Sequence, residues 1–216
     1  MRSFNTASPA STFAPPAVAP GADLGPMSVR MSFAKEEEIY AQEEEADLVY
    51  RVVSGAVRIT CLMADGRRHV AGFHFAGEFF GLESGEQHAF SAEALCDTVV
   101  AVAKRRLVER DGEIERLLWI STAREMSRLH AHMLLLSRKT ACERVATFLV
   151  EMADRQGRQD SLFLPMGRQD IADYLGLTIE TVSRMMTKLQ ADRLIEMEDP
   201  RHVRIRHGAA LMDCCE

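Results

Sequence analysis

The stretch "RQDIADYLGLTIETVSRMMTKL", residues 168–189, constrains the chain more than any other. Its apolar spacing is that of two short helices joined by a turn so brief that they must cross closely. Ala172 is small enough to let the second helix approach the first. Gly176, four positions on, supplies the positive φ that such a tight turn requires. Val182, at offset ten from Ala172, fills the space between the helices. Ile171, Leu175, Leu177 and Leu189 complete the shared core. Thr178 is placed to cap the second helix, its hydroxyl accepting from a backbone N–H of the first turn.

A helix-turn-helix built this way presents the start of its second helix to whatever docks there. With Thr178 as cap, Ile179, Glu180, Ser183 and Arg184 fall in the first two turns, the end that enters a DNA major groove. Arginine pairs bidentately with guanine O6 and N7, and a carboxylate accepts from cytosine N4. Glu180, Ser183 and Arg184 are therefore the expected base-reading residues, and the acid and the base, one turn apart, can also brace each other. Arg168, Thr178, Thr181 and Lys188 are the expected DNA-backbone contacts, which set register without carrying sequence information.

The surroundings complete the motif. A helix from about Ala141 to Arg155 and a short strand "LFLPM" precede it, and "LIEMEDPRHVRIR" follows as two alternating runs about Asp199-Pro200, a β-hairpin. Residues 138–210 thus read as a winged helix-turn-helix. Arg201, His202, Arg204 and Arg206 on the wing either touch phosphates or form a solvated surface. Net charge is −6 for the chain, but residues 138–206 hold 12 Lys/Arg against 11 Asp/Glu. Charge therefore neither requires nor excludes DNA, since affinity depends on where the cations point.

Upstream, "EIERLLWISTAREMSRLHAHMLLLSRK" has no Gly or Pro and reads as one long helix, residues 111–137. Met126, Leu129, Met133 and Leu136, spaced 3, 4, 3, form a narrow seam that either packs on a neighbouring domain or meets a second copy. The helix is too long for a small domain to cover, which favours a dimerisation helix. Residues 27–110 alternate in short apolar runs such as "DLVYRVVSG", "AVRITCLM" and "DTVVAVAK", punctuated by Gly, and predict a compact β-roll. Residues 1–26, with five of the seven prolines, read as a disordered tail. The expected fold class is α+β: a β-roll, a long helix and a winged helix-turn-helix.

The segment "RQDIADYLGLTIETVSRMMTKLQADRLIE" resembles the DNA-binding domain of the cyclic-AMP receptor protein and fumarate-nitrate reductase regulator (Crp/Fnr) superfamily. The similarity extends through "HMLLLSRKTACERVATFLVEMA" and the β region, about residues 30–206. The words "SGAVR", "DGRR" and "GFHFAGEFFGLESG" look most like FixK-type regulators; Ile179 stands where the cyclic-AMP branch has Arg. The resemblance implies a cyclic-nucleotide-binding-like sensor domain and a homodimer on palindromic double-stranded DNA of the TTGA…TCAA kind, with Arg184 on the guanine. It also implies recruitment of RNA polymerase as an activator, for microaerobic respiration or nitrogen-fixation genes, and no enzymatic activity.

No cofactor is expected. Between Glu83 and Glu93 there is no Arg to hold a cyclic nucleotide's phosphate, and the first 60 residues contain no Cys, whereas an iron-sulfur centre needs four thiolates. His69, His74 and Glu78 lack the His-x-His pair of β-roll metal sites, so these histidines and His88 are expected at the surface or in turns; His130 and His132 are expected at solvent or at the seam. Five cysteines without a C-x-x-C pair suggest a reduced cytoplasmic setting, with Cys142 a buried small residue. No apolar run is long enough to span a membrane. A ligand- or haem-sensing β-roll and a metal-dependent β-roll enzyme are the competing readings.

Overall fold

The computed structural model describes residues 24–25, 27–108, 111–157, 160–206, 208 and 211. Cys214 and Cys215, and most of the predicted tail, lie outside these. The β domain comprises β1 (Val29–Phe33), β2 (Glu38–Tyr40), β3 (Leu48–Ser54), β4 (Ala56–Leu62), β5 (Arg68–Phe75), β6 (Phe79–Phe80), β7 (Ser91–Ala94) and β8 (Thr98–Lys104). They form two four-stranded antiparallel sheets, in the orders β1-β8-β3-β6 and β2-β7-β4-β5. Phe33, Tyr50, Val52, Phe80, Val100 and Val102 of the first sheet meet Tyr40, Val57, Ile59, Ala92 and Ala94 of the second.

The sheets' outer faces are covered as well, which explains strands apolar almost throughout. Val49, Phe79, Ala101 and Ala103 pack outward against Leu24, Val108 of α1 (Arg105–Val108) and Ile114 of the following helix. Leu24 is 3% exposed, so the folded region begins inside the segment read as a tail. On the opposite side, Ala56, Val70, Phe73 and Phe75 share a core with the C-terminal domain.

Helix α2 runs Gly112–Arg138, 27 residues, and starts on Asp111, whose carboxylate accepts from the amides of Glu113 and Ile114. Lys139 and Thr140 are extended and break the helix. Thr140 then opens α3 (Ala141–Arg155) with a reciprocal capping box to Glu143. Strand β9 (Ser161–Phe163), α4 (Arg168–Leu175), α5 (Ile179–Ala191), β10 (Ile195–Met197) and β11 (His202–Ile205) follow, with the strands ordered β10-β11-β9. Val182, Met186 and Leu189 of α5 are essentially fully buried, each contributing about 1.5–3 kcal/mol.

Several residues sit elsewhere than expected. Leu136 is half-buried and packs on the C-terminal core, whereas Met126, Leu129 and Met133 are 57%, 51% and 61% exposed. The exposed apolar stripe of α2 instead starts at Trp119, 72% exposed. His74 and His88 are buried, 7% and 2% exposed, because β5 and the loop after Gly85 turn them inward. His88 stacks on Tyr40 with centroids 3.7 Å apart. His132 is half-buried and stacks on Tyr174 at 4.1 Å.

Candidate nucleic-acid interface

The turn between α4 and α5 is made by Gly176 at φ 62° and ψ 40°, the left-handed region. A Cβ there would meet Arg144 and Leu136 at 3.7 Å, an ordinary contact, so the backbone conformation rather than space selects glycine. Ala172 and Val182 are both fully buried at the crossing. The Thr178 hydroxyl accepts from the Thr181 amide at 3.2 Å, as the cap requires.

This geometry leaves the first two turns of α5 outward. Glu180, Ser183 and Arg184 are all exposed, as is Ile179. Glu180's own backbone N–H and the Thr178 hydroxyl hold its carboxyl below the usual range, so it is ionised. Among the described residues no ion pair joins Glu180 to Arg184; the expected brace is not formed, and each side chain is presented separately. Lys188 is exposed farther along the same helix, and Thr181 is half-buried beside Thr178.

Arg168 departs from the expected pattern. Its guanidinium is drawn under the wing, where Nη2 lies 3.4 Å from Met197 Sδ and Nη1 is buried without a hydrogen-bond partner among the described residues. Burial lowers its pKa. Two of the wing's arginines are also engaged, Arg204 with Glu198 at 3.2 Å and Arg206 with Glu196, and the His202 ring lies 2.6 Å from Asp199. The amide of Arg201 and the ring and amide of His202 hold the Asp199 carboxyl at about 2, fixing the wing's tip. Arg184 and Lys188 on α5 are both exposed.

Sequence reasoning missed two sets of residues. Arg144 of α3 donates to carbonyls at two helix ends. Nothing local in the sequence marked it. Arg58 and Arg68 of the β domain bond to Asp170 and Asp173 of α4. Arg58 had a signal, a charge in the middle of the apolar strand "AVRIT".

Comparison with known proteins agrees with this anatomy. Residues 30–110 match the family model of the cyclic nucleotide-binding domain, and residues 143–214 that of the Crp-like helix-turn-helix domain. The nitrogen fixation regulation protein FixK of Rhizobium meliloti is 48% identical over 179 residues, 82% of this chain and 83% of that protein. FixK of Azorhizobium caulinodans is 44% identical over 188 residues, 83% of this chain and 76% of that protein. The solved structure of FixK2 from Bradyrhizobium japonicum superposes with a TM-score of 0.81 at 46% identity, covering 86% of this chain and 96% of that one. An α+β chain with a cyclic-nucleotide-binding-like sheet domain, a long helix and a DNA-binding helix-turn-helix, this protein belongs to the Crp/Fnr family of transcription regulators, as a FixK-like member.

Proposed function

We propose that the protein acts as a homodimeric activator that binds TTGA…TCAA palindromes and recruits RNA polymerase, in the cytoplasm and without cyclic nucleotide, iron-sulfur cluster or other cofactor. The observation that carries this reading is the exposed start of α5, where Glu180, Ser183 and Arg184 point outward while Arg204 and Arg206 of the wing are paired with wing carboxylates. Glu180 accepts from cytosine N4 and Arg184 donates to guanine O6 and N7, both within a TTGA half-site read on its two strands. Thr178, Thr181 and Lys188 hold adjacent phosphates. Two half-sites in TTGA-N6-TCAA have centres about ten base pairs apart, one helical turn, as a two-fold dimer demands.

Self-association is supported by α2. Trp119, Met126, Leu129 and Met133 are each more than half exposed, and large apolar side chains gathered on one exposed helix stripe mark an association surface. Effector independence is supported by the acidic, arginine-free segment between Glu83 and Glu93 and by aromatic filling of the roll, where Tyr40, Tyr50, Phe80 and His88 stack on one another. The names of the FixK relatives support control of nitrogen-fixation genes; control of microaerobic or anaerobic respiration genes is part of the same proposal.

The test is a titration of purified, ligand-free protein onto a TTGA-N6-TCAA duplex and a scrambled duplex at matched salt. A preference of about a thousandfold or more is expected. Equal affinity for the two ends the proposal.

A further inference from the structure

Two ion-pair sites of opposite polarity fasten the C-terminal domain to the β domain. At the first, the β domain supplies the cations. Arg58 of β4 donates to Asp170 Oδ1 at 3.1 Å, and Arg68 of β5 donates to the same oxygen at 2.8 Å and to Asp173 Oδ2 at 2.7 Å. Arg58 is itself anchored within the β domain by Glu36 at 2.7 Å and by Glu93. Asp170 uses its other oxygen to accept from the Gly167 amide at 3.0 Å, so the same carboxylate starts α4 and receives the β domain.

At the second site, the β domain supplies the anion. Glu78 accepts from Arg128 of α2 at 2.8 Å and from Arg155 of α3 at 2.7 Å. Between the two sites lies an apolar centre in which Phe73 of β5 meets Tyr174 of α4, centroids 5.3 Å apart, and Phe148 of α3, 6.2 Å apart. An apolar contact alone is non-directional and tolerates sliding. Flanking it with charges of alternating sign removes that freedom, because a rotation that carries α4 toward Glu78 brings carboxylate against carboxylate.

We infer that this pair of sites is a positioning lock for DNA binding: it fixes the α4–α5 unit relative to α2, and so sets the separation of the two recognition helices in a dimer without a bound effector. The inference rests on the dimeric, palindrome-reading function proposed above. Arg68, Asp170 and Asp173 act as positioning residues, through α5, and none touches DNA.

The experiment reads spacer selectivity. Full-length protein is titrated onto TTGA-N6-TCAA and TTGA-N11-TCAA duplexes, which differ by about half a helical turn in the placement of the second half-site. Wild type should prefer the shorter spacer by at least about tenfold. Arg68→Asp should lose most of that preference, and Arg68→Asp combined with Asp173→Arg should restore it. The Arg68 and Asp173 side chains are 32% and 14% exposed, and Asp170, the other carboxylate at Arg68, keeps Arg58 as its partner in the swap. Circular dichroism checks folding, and Arg68→Gln takes the place of Arg68→Asp if that variant does not fold. Full selectivity in the single variant, or a swap that fails to restore it, overturns the lock. Tighter operator binding by the single variant also overturns it, since the sites would then hold a resting state. A wild-type protein indifferent to spacer length overturns the dimeric function itself, and the lock with it.

Discussion

Arg144 of α3 donates from Nη1 to the carbonyl oxygen of Leu175, 3.1 Å away at the C-terminus of α4. The same guanidinium donates to Leu136 O at 2.8 Å, near the end of α2, and to Lys139 O at 3.0 Å in the joint after it. Helix C-termini leave their last carbonyls without intrahelical donors, and one planar fork here satisfies two such ends at once. The long helix and the helix-turn-helix are thereby tied through a single side chain.

Arg144→Ala should therefore destabilise the protein by about 2 kcal/mol, the scale of losing charge-assisted hydrogen bonds at a partly buried site. Arg144→Lys should recover only part of the loss, because one ammonium cannot span three carbonyls as a guanidinium does. Urea unfolding followed by circular dichroism checks both. Lysine matching arginine would show that charge alone matters there.

Arg184→Ala should cost roughly 1–3 kcal/mol in operator binding and relax discrimination at one base pair. Binding to random duplex should change far less, since Arg184 is assigned to a base edge. Competition titrations against half-sites altered one base at a time make the comparison. Equal losses on specific and random DNA would reassign Arg184 to the phosphate backbone.

The helix-turn-helix was legible because its local requirements are steric and close in sequence: Ala172, Gly176 and Val182 each do one job within ten positions. The long helix was legible from its uninterrupted span and the line Met126, Leu129 and Met133 from its spacing, but the place of Leu136 was not. Met126 and Met133 point outward, whereas Leu136 is claimed by the core of the domain that begins two residues beyond the helix. That choice depends on where α3 and α4 pack. The buried histidines were illegible for a similar reason. Histidine carries no fixed preference for inside or outside, and only the close stacking of Tyr40 on His88 decides. The wing's arginines read equally as phosphate contacts or as a solvated surface, and the register Ile195↔Ile205, which sets Glu196 directly opposite Arg204, is not visible in the sequence.

The redrawn stripe on α2 makes a paired prediction. Trp119→Glu or Met133→Glu should convert dimers to monomers in sedimentation while leaving the unfolding temperature of the monomer nearly unchanged, since both side chains are exposed. Leu136→Ala should do the reverse. It should destabilise the C-terminal domain by about 1–2 kcal/mol, less than the 2–5 typical of a fully buried leucine, and leave self-association largely intact. Leu136→Ala acting mainly on sedimentation would put the seam back where the 3, 4, 3 spacing drew it.

Acid should loosen the contact between the β domain and α2. Burial lowers the His74 pKa from 6.5, opposed by Glu125 and Glu78 and reinforced by Arg155 and Arg128. A histidine depressed on folding binds its proton more readily when unfolded. Its stabilising contribution is thus present above 6.5 and is lost as pH falls from 6.5 through the lower folded value, by at most about 1.4 kcal/mol per pH unit. Glu151, raised by burial despite Arg155 and Arg128, works the other way: its contribution is full below 4.5 and is lost as pH rises through its folded value. Glu78 is held down by Arg155 and Arg128 against its burial and adds an acid-sensitive step only below 4.5. Below pH 6.5 His74 and Glu151 act with opposite sign while Glu78 is unchanged above 4.5, so the difference between wild type and His74→Gln isolates the histidine. As pH falls below 6.5, the urea midpoint of wild type should drop relative to that of His74→Gln. Parallel slopes would show that His74 is not the group that titrates.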